Sequence, residues 1–249
     1  MIDYIYLNGQ HYDQLFLGAN EDLPFWADQA RKYGDPILEL ACGTGRITNL
    51  LAQQGYRVTG IDNSIAMLSE ARKKAGLQDV LVEWVHGDMR DFDLGTKFPL
   101  IILPANALCH LLTLTDFESC LVVVKKHLMD GGKFIIDVFV PKPELLVSKP
   151  DERFPFSEYD DPDGKGKVVV THSYVYEADT QIKRIKTFHS LLDQDTEVEG
   201  ELNMRMYFPQ EVDALLNYNG FLIEEKFGDY DLSSFNSAAK KQLIISSIK

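Results

Sequence analysis

Ile37-Leu38-Glu39-Leu40-Ala41-Cys42-Gly43-Thr44-Gly45-Arg46 is the stretch that decides the fold of this 249-residue chain. An apolar strand runs into two glycines one residue apart, and helical spacing follows at once through Ile47, Leu50 and Leu51. Such a turn serves a ligand, because Gly43 and Gly45 lack side chains and let the backbone bend tightly and be approached closely. A dinucleotide fingerprint carries a third glycine three residues further on, where this chain has Thr48. It also has no need of an acid inside the strand, where this chain has Glu39. Both departures count against a nicotinamide-dependent dehydrogenase.

Downstream of this unit the alternation continues. Tyr56–Ile61, Val80–Val85, Leu100–Leu103 and Lys133–Phe139 read as strands, and Ile47–Gln54, Ile65–Ala75 and Phe117–Leu128 as helices. Apolar strands separated by amphipathic helices predict a parallel sheet covered on both faces. Upstream, Leu23–Tyr33 reads as a helix packed on that sheet. At Pro141 the texture changes: Pro141, Pro143, Pro150, Pro155 and Pro162 break the chain, and Asp163-Gly164 marks a turn. Three strand-like runs follow, Val168–Tyr176, Ile182–Leu192 and Val198–Phe208, which read as an antiparallel sheet inserted into the parallel one. A helix over Pro209–Tyr218 and strands over Phe221–Phe227 and Gln242–Ile248 complete the pattern. The expected organisation is one domain over residues 1–140 and 209–249, interrupted by an inserted sheet over 141–208 that serves as a roof or a dimer interface.

Two further acids close predicted strands, in Val58-Thr59-Gly60-Ile61-Asp62 and His86-Gly87-Asp88-Met89-Arg90. With Glu39-Leu-Ala-Cys-Gly43-Thr-Gly45 ahead of them, the chain resembles the class I S-adenosylmethionine-dependent methyltransferases. The resemblance covers residues 35–140 well and the last strands more loosely. It implies an α/β, Rossmann-like fold: a seven-stranded, mostly parallel sheet with an antiparallel last strand, helices on both faces, and the inserted antiparallel β-sheet. It also implies S-adenosylmethionine as cofactor. The glycine turn, with Ala41, Gly43 and Gly45, would abut the methionine part, and Glu39 would order the loop. Asp62 would accept both ribose hydroxyls, which one carboxylate can do with its two oxygens, assisted by Asn63. Asp88 would accept from the adenine amino group, with Met89 packed on the ring and Met67 as a further adenine contact. Tyr12, beside Asp13, resembles the segment that folds over the cofactor in sugar and small-amine methyltransferases, and Arg46 is a further cofactor-side candidate.

Methyl transfer is an in-line displacement on a sulfonium carbon that arrives already activated, so alignment matters more than an obligatory base. The fourth strand ends in Pro104-Ala105-Asn106-Ala107-Leu108-Cys109-His110, which makes Asn106 and His110 the acceptor-side candidates. Histidine titrates near working pH and suits a general base. This segment lacks the Asn/Asp-Pro-Pro-Tyr/Phe pattern of many nucleic-acid amino methyltransferases, which argues against a flipped base as acceptor. The aromatic N-terminus (Tyr4, Tyr6, Tyr12, Phe16, Phe25, Trp26) could face a cation or pack on the core. The insert offers His172, Tyr174, Tyr176, Arg184, His189, Arg205 and Tyr207 as pocket wall or solvated face.

The balance of charge is −13, with 45% hydrophobic and 25% charged residues, which is globular composition without the basic face of a nucleic-acid binder. Arg72-Lys73-Lys74 and Lys125-Lys126 read as solvated helix faces. Cys42, Cys109 and Cys120 form no CxxC pair, so neither a disulfide framework nor a metal site is expected, in keeping with a reducing, cytoplasmic setting. No signal peptide or membrane span is read. The expected activity is methyl transfer to nitrogen or oxygen of a small-molecule acceptor, by a monomer or homodimer without nucleic-acid partners. An RNA or protein methyltransferase and a non-catalytic cofactor-binding scaffold are the alternatives.

Overall fold

The computed structural model describes residues 4–147, 151–192 and 197–249. Pro150 and the opening Met1-Ile2-Asp3, read above as a breaker and as the start of the chain, lie outside the described residues, as does the side chain of Tyr4. The main sheet has seven strands: β1 (Ile37–Leu40), β2 (Val58–Asp62), β3 (Glu83–His86), β4 (Phe98–Leu103), β5 (Leu128–Phe139), β10 (Phe221–Phe227) and β11 (Lys241–Ile248). Their order is β10-β11-β5-β4-β1-β2-β3. Pairings among β1 to β5 are parallel, and β11 runs antiparallel to both of its neighbours. Strands β1, β2 and β4 are buried along nearly their whole length, as continuous apolar runs demand when both faces are covered.

Helices α2 (Leu23–Tyr33) and α3 (Arg46–Gln53) cover one face, where Phe25, Trp26, Ile47 and Leu51 meet Ile37, Val58 and Ile102. Helices α5 (Leu114–His127) and α6 (Pro209–Tyr218) cover the other, where Phe117, Leu121, Val124 and Leu216 meet Leu38, Leu40, Phe134 and Ile136. Helix α4 (Ile65–Leu77) is capped by Ser64, whose hydroxyl accepts from the Met67 amide. A short helix α1 (Gly9–Leu15), capped by Asn8, lies across α4, and a Cβ on Gly9 would stand 2.6 Å from Glu70 Cβ. Among the described residues, no helix is long and apolar enough to cross a membrane.

The second sheet differs from its expectation. It has four antiparallel strands rather than three: β6 (Phe154–Asp160), β7 (Lys167–Glu177), β8 (Ile182–Leu191) and β9 (Glu197–Arg205). Pro155 reads as a breaker in sequence, yet it sits in edge strand β6, where a missing N–H is tolerated, and the register shifts between Pro155 and Ser157. The third expected run also ends earlier, at Arg205. Met206 and Tyr207 are buried, and the Tyr207 hydroxyl donates to the Leu111 carbonyl at 2.5 Å, so this segment belongs with the main core.

Candidate active site

β1 and β4 are adjacent, and the chain leaves them toward opposite sides of the sheet. In open parallel sheets the crevice beyond such strand ends is where ligands bind. Here each strand end is followed by side-chain-bearing residues with left-handed backbone: Ala41 at φ 53°, then Ala105 at 53° and Asn106 at 62°. Such conformations are costly for residues with a Cβ and persist where the surroundings impose them. Above them opens a cleft of two lobes, about 820 and 890 Å³, which share Tyr6, Tyr12, Ala41, Gly43, Pro104, Ala105 and His110.

Asp62 is the hinge of the second lobe. Its carboxylate accepts from the Gly43 amide at 2.8 Å and from the Ser64 amide at 2.8 Å, tying the ends of β1 and β2 together. Asp62 and Asn63 line the second lobe. Gly43, at φ 56°, has open space where a Cβ would stand, so the loop is a cradle for a ligand. Glu39 lies fully beneath this loop and accepts a short hydrogen bond from Thr48. Burial pushes its pKa up to about 8, against the pull of Thr48 and then of Arg46.

Two of the sequence-read residues stand elsewhere. Met67 is 1% exposed on the inner side of α4 and lines neither lobe, because the helix turns that face to the core. Gly45 is likewise no part of the cleft wall: at φ 77° it caps α3, and a Cβ there would stand 2.6 Å from the Trp84 ring. Asp88 and Met89 do line the second lobe. The Asp88 carboxylate, however, is held by Arg90, with Nη2 at 2.5 Å and Nε at 2.9 Å. An adenine amino group would share it with that guanidinium.

The N-terminal segment closes the cleft from above. Tyr12 lines both lobes, and burial raises its hydroxyl pKa to about 12. Its neighbour Asp13 accepts from Thr44 at 2.6 Å and pairs with Lys74 at 2.7 Å, latching α1 to the glycine loop and to α4. Ser64 donates to the Tyr6 carbonyl at 2.7 Å. Phe25 and Trp26, by contrast, are core residues at 3% and 1% exposure.

On the acceptor side, His110 and the Tyr6 hydroxyl are 2.9 Å apart. Burial lowers the His110 pKa to about 4, which leaves the ring neutral in the physiological range. Asn106 lines the first lobe, and its Oδ1 accepts from the Phe139 amide at 2.8 Å, so it braces β4 against β5. The β7–β9 face roofs this lobe with Val170, His172, Tyr174, Lys183, Thr187 and His189.

Three elements escape a sequence reading. Asp22, the residue before α2, looks like a helix cap but makes no side-chain cap bond. It instead binds Arg46 through both oxygens, at 2.5 and 2.8 Å, and accepts from Trp26 Nε1 at 3.1 Å. Asp137, inside β5 and fully buried, accepts from the Ala105 amide at 3.1 Å, from Tyr230 at 2.7 Å and from Lys241 at 3.3 Å. A charge in an apolar strand is the available signal, but its side-chain partners are 93 and 104 residues away. Lys183 is the third, one lysine among many in an exposed-looking strand. Separately, His11, Asp161 and Asp163 offer ligand atoms within 4.8 Å of one another where α1 meets the β6–β7 turn, outside both lobes.

Residues 37–132 match the family described as a methyltransferase domain. A dTDP-3-amino-3,4,6-trideoxy-alpha-D-glucopyranose N,N-dimethyltransferase of Streptomyces venezuelae is 29% identical over 136 residues, which cover 51% of this chain and 54% of that protein. The chain thus spans about half the length of the curated relatives it matches. Among solved structures, an S-adenosylmethionine-dependent methyltransferase from Clostridium acetobutylicum superimposes with a TM-score of 0.79 at 21% identity, covering 96% of this chain and 97% of that one. SAM-bound CalS10, an amino pentose methyltransferase from Micromonospora echinaspora, gives a TM-score of 0.71 at 19% identity, covering 95% and 94%. Residues 37–132 thus match a methyltransferase domain, on a fold that the chain shares with S-adenosylmethionine-dependent methyltransferases of known structure.

Proposed function

We propose that the protein transfers a methyl group from S-adenosylmethionine to nitrogen or oxygen of a small-molecule acceptor. One observation carries this reading. The cofactor-side lobe and the roofed lobe meet at a single wall of Tyr6, Tyr12, Ala41, Pro104, Ala105 and His110, where a donor in one lobe and an acceptor in the other would face each other. The cofactor supplies an electrophilic methyl group with its own leaving group. Asp62 and Asn63 would hold the ribose, the Gly43 loop the methionine part, Asp88 and Met89 the adenine, and Tyr12 would cover the whole.

The chain's own contribution is alignment and exclusion of water, which for well-oriented reactants is worth on the order of 7–11 kcal/mol. His110, neutral and 2.9 Å from the Tyr6 hydroxyl, offers a proton acceptor at the junction of the lobes, while Asn106 fixes the strand end beneath it. The division into residues 1–140 with 209–249 and an insert over 141–208 follows from this reading, with the insert as acceptor roof. Relatives that act on amino sugars support an amine as the accepting group. The acidic balance and the absence of the Pro-Pro pattern after β4 disfavour RNA. Because one chain builds both lobes, the site is complete in a monomer and in a homodimer alike. All three cysteines are buried thiols, which supports a reducing, cytoplasmic setting. The test is titration with S-adenosylhomocysteine, which the wild-type protein is expected to bind in the micromolar range. A well-folded sample that does not bind it overturns the proposal.

A further inference from the structure

The roof of the first lobe holds a cation with no anion beside it. Lys183, in β8, is 8% exposed, and its ammonium lies 3.5 Å from the centroid of the Tyr174 ring. Among the described residues it forms no salt bridge and no hydrogen bond beyond that ring contact. Arg205, in the next strand and equally buried at 8%, shows what a finished pair looks like here: it meets Glu211 at 2.6 Å. A desolvated ammonium without a carboxylate is costly, and its three donors call for acceptors.

His172 is near enough for the lysine's charge to add to burial in holding its pKa below the usual range. Thr187 stands opposite His172 in the β7–β8 register. Of the acids lining this lobe, Asp13 is engaged by Lys74, Asp22 by Arg46 and Glu39 by Thr48, while Glu21 is exposed and is not paired with Lys183. In a protein of net charge −13, one buried lysine of this cavity wall thus stands without an anion.

We propose that Lys183 is the anion-recognising residue of the acceptor site, and that the methyl acceptor carries a phosphate or carboxylate group that docks on it beneath the inserted sheet. This rests on the reading of the first lobe as the acceptor site. Docked there, the anion supplies the missing partner of a buried cation, and charge-assisted hydrogen bonds of that kind are short and directional. Anchoring the far end of the acceptor leaves its nucleophile to reach the wall shared by the two lobes.

The experiment uses the full chain saturated with S-adenosylhomocysteine and titrated calorimetrically with inorganic pyrophosphate and with succinate. Wild type is expected to bind one of them, pyrophosphate marking a phosphate-bearing acceptor and succinate a carboxylate-bearing one. Lys183→Met is expected to weaken that binding about tenfold or more, as loss of one charged hydrogen bond does, with S-adenosylhomocysteine affinity unchanged, and Lys183→Arg to restore most of it. A second measurement needs no variant: the bound anion should slow acetylation of Lys183 in wild type while leaving the exposed Lys165 unaffected. Binding of neither anion, Lys183→Met binding as wild type does, or equal acetylation with and without the anion each overturns the proposal. Failure of wild type to bind S-adenosylhomocysteine at the outset would instead overturn the cofactor reading.

Discussion

The wall of the cleft built from β1, β2 and β3 and the roof built from β7 and β8 treat their polar groups in opposite ways. In the wall, polar groups are matched within the protein: Asp62 by two backbone amides, Glu39 by Thr48, Asp88 by Arg90. In the roof, Lys183 meets only an aromatic face, and His172 beside it is held below its usual pKa by burial and by that lysine. A wall satisfied in advance is preorganised and pays little to receive its ligand. A roof whose lysine has no anion would draw stabilisation from a ligand that brings one. The proposed activity asks for this division: a wall for one invariant cofactor and a roof that selects an acceptor.

The sharpest break in this contrast comes at Asp62. Asp62→Ala would remove the carboxylate proposed to accept both ribose hydroxyls and would also free the Gly43 loop. At about 1.5–3 kcal/mol per charged hydrogen bond, affinity for S-adenosylhomocysteine should fall on the order of a hundredfold or more by calorimetry. A loss under tenfold would mean that the wall is not organised around this carboxylate. Packing comes next. A Cβ on Gly60 would stand 2.9 Å from Cys42 Sγ and 3.0 Å from the Trp84 ring, so Gly60→Ala should cost about 1–3 kcal/mol in denaturant unfolding.

Protonation sharpens the comparison further. The folded-state pKa of Glu39, about 8, lies above its ordinary value of 4.5, so the native protein holds an extra proton between those values. The stability this provides is complete below pH 4.5 and is lost as pH rises toward 8. A cationic ligand above Glu39 would favour the carboxylate. Binding of S-adenosylmethionine at pH 7 is therefore expected to release a proton, visible as a dependence of the calorimetric enthalpy on buffer, and Glu39→Gln should abolish that release. On the acceptor side the sign is reversed. His110 protonates only near pH 4, so any acid limb of kcat that it causes should lie there and not near 6.5. A limb near 6.5 that disappears in His110→Phe would show a ring far better solvated than its burial implies. The smallest effect is expected on the outer face of the roof, where Val175 is 42% exposed and Val175→Thr should change stability by no more than about 0.5 kcal/mol.

The wall was far more legible in sequence than the roof. Gly43, Asp62 and Asp88 are found because each follows an apolar run whose period identifies a strand, and strand ends of a parallel sheet converge on one place. Helix boundaries fell within a few residues for the same reason. Met67 lines neither lobe because a place in α4 is readable from sequence while the side of the helix that meets the cleft is not. The Asp137–Tyr230–Lys241 cluster and the Asp22–Arg46 pair join residues far apart in the chain, so no local pattern announces them. Strand β6 was hidden by Pro155, whose tolerance depends on being at an edge, a tertiary fact. Lys183 was invisible because its meaning lies in what does not accompany it.

Tyr12 and Asp13 are consecutive on α1, so the ring that covers the cleft and the carboxylate that fastens the helix to Thr44 and Lys74 must travel together. Turnover then acquires a timetable. If the proposed activity holds, spent cofactor would leave only after the Asp13 latch has opened, and the rate of that opening would cap turnover whatever the speed of the chemistry. Asp13→Asn should accordingly shorten the residence time of S-adenosylhomocysteine in a stopped-flow chase, and an unchanged dissociation rate would show that the helix is a wall and not a door.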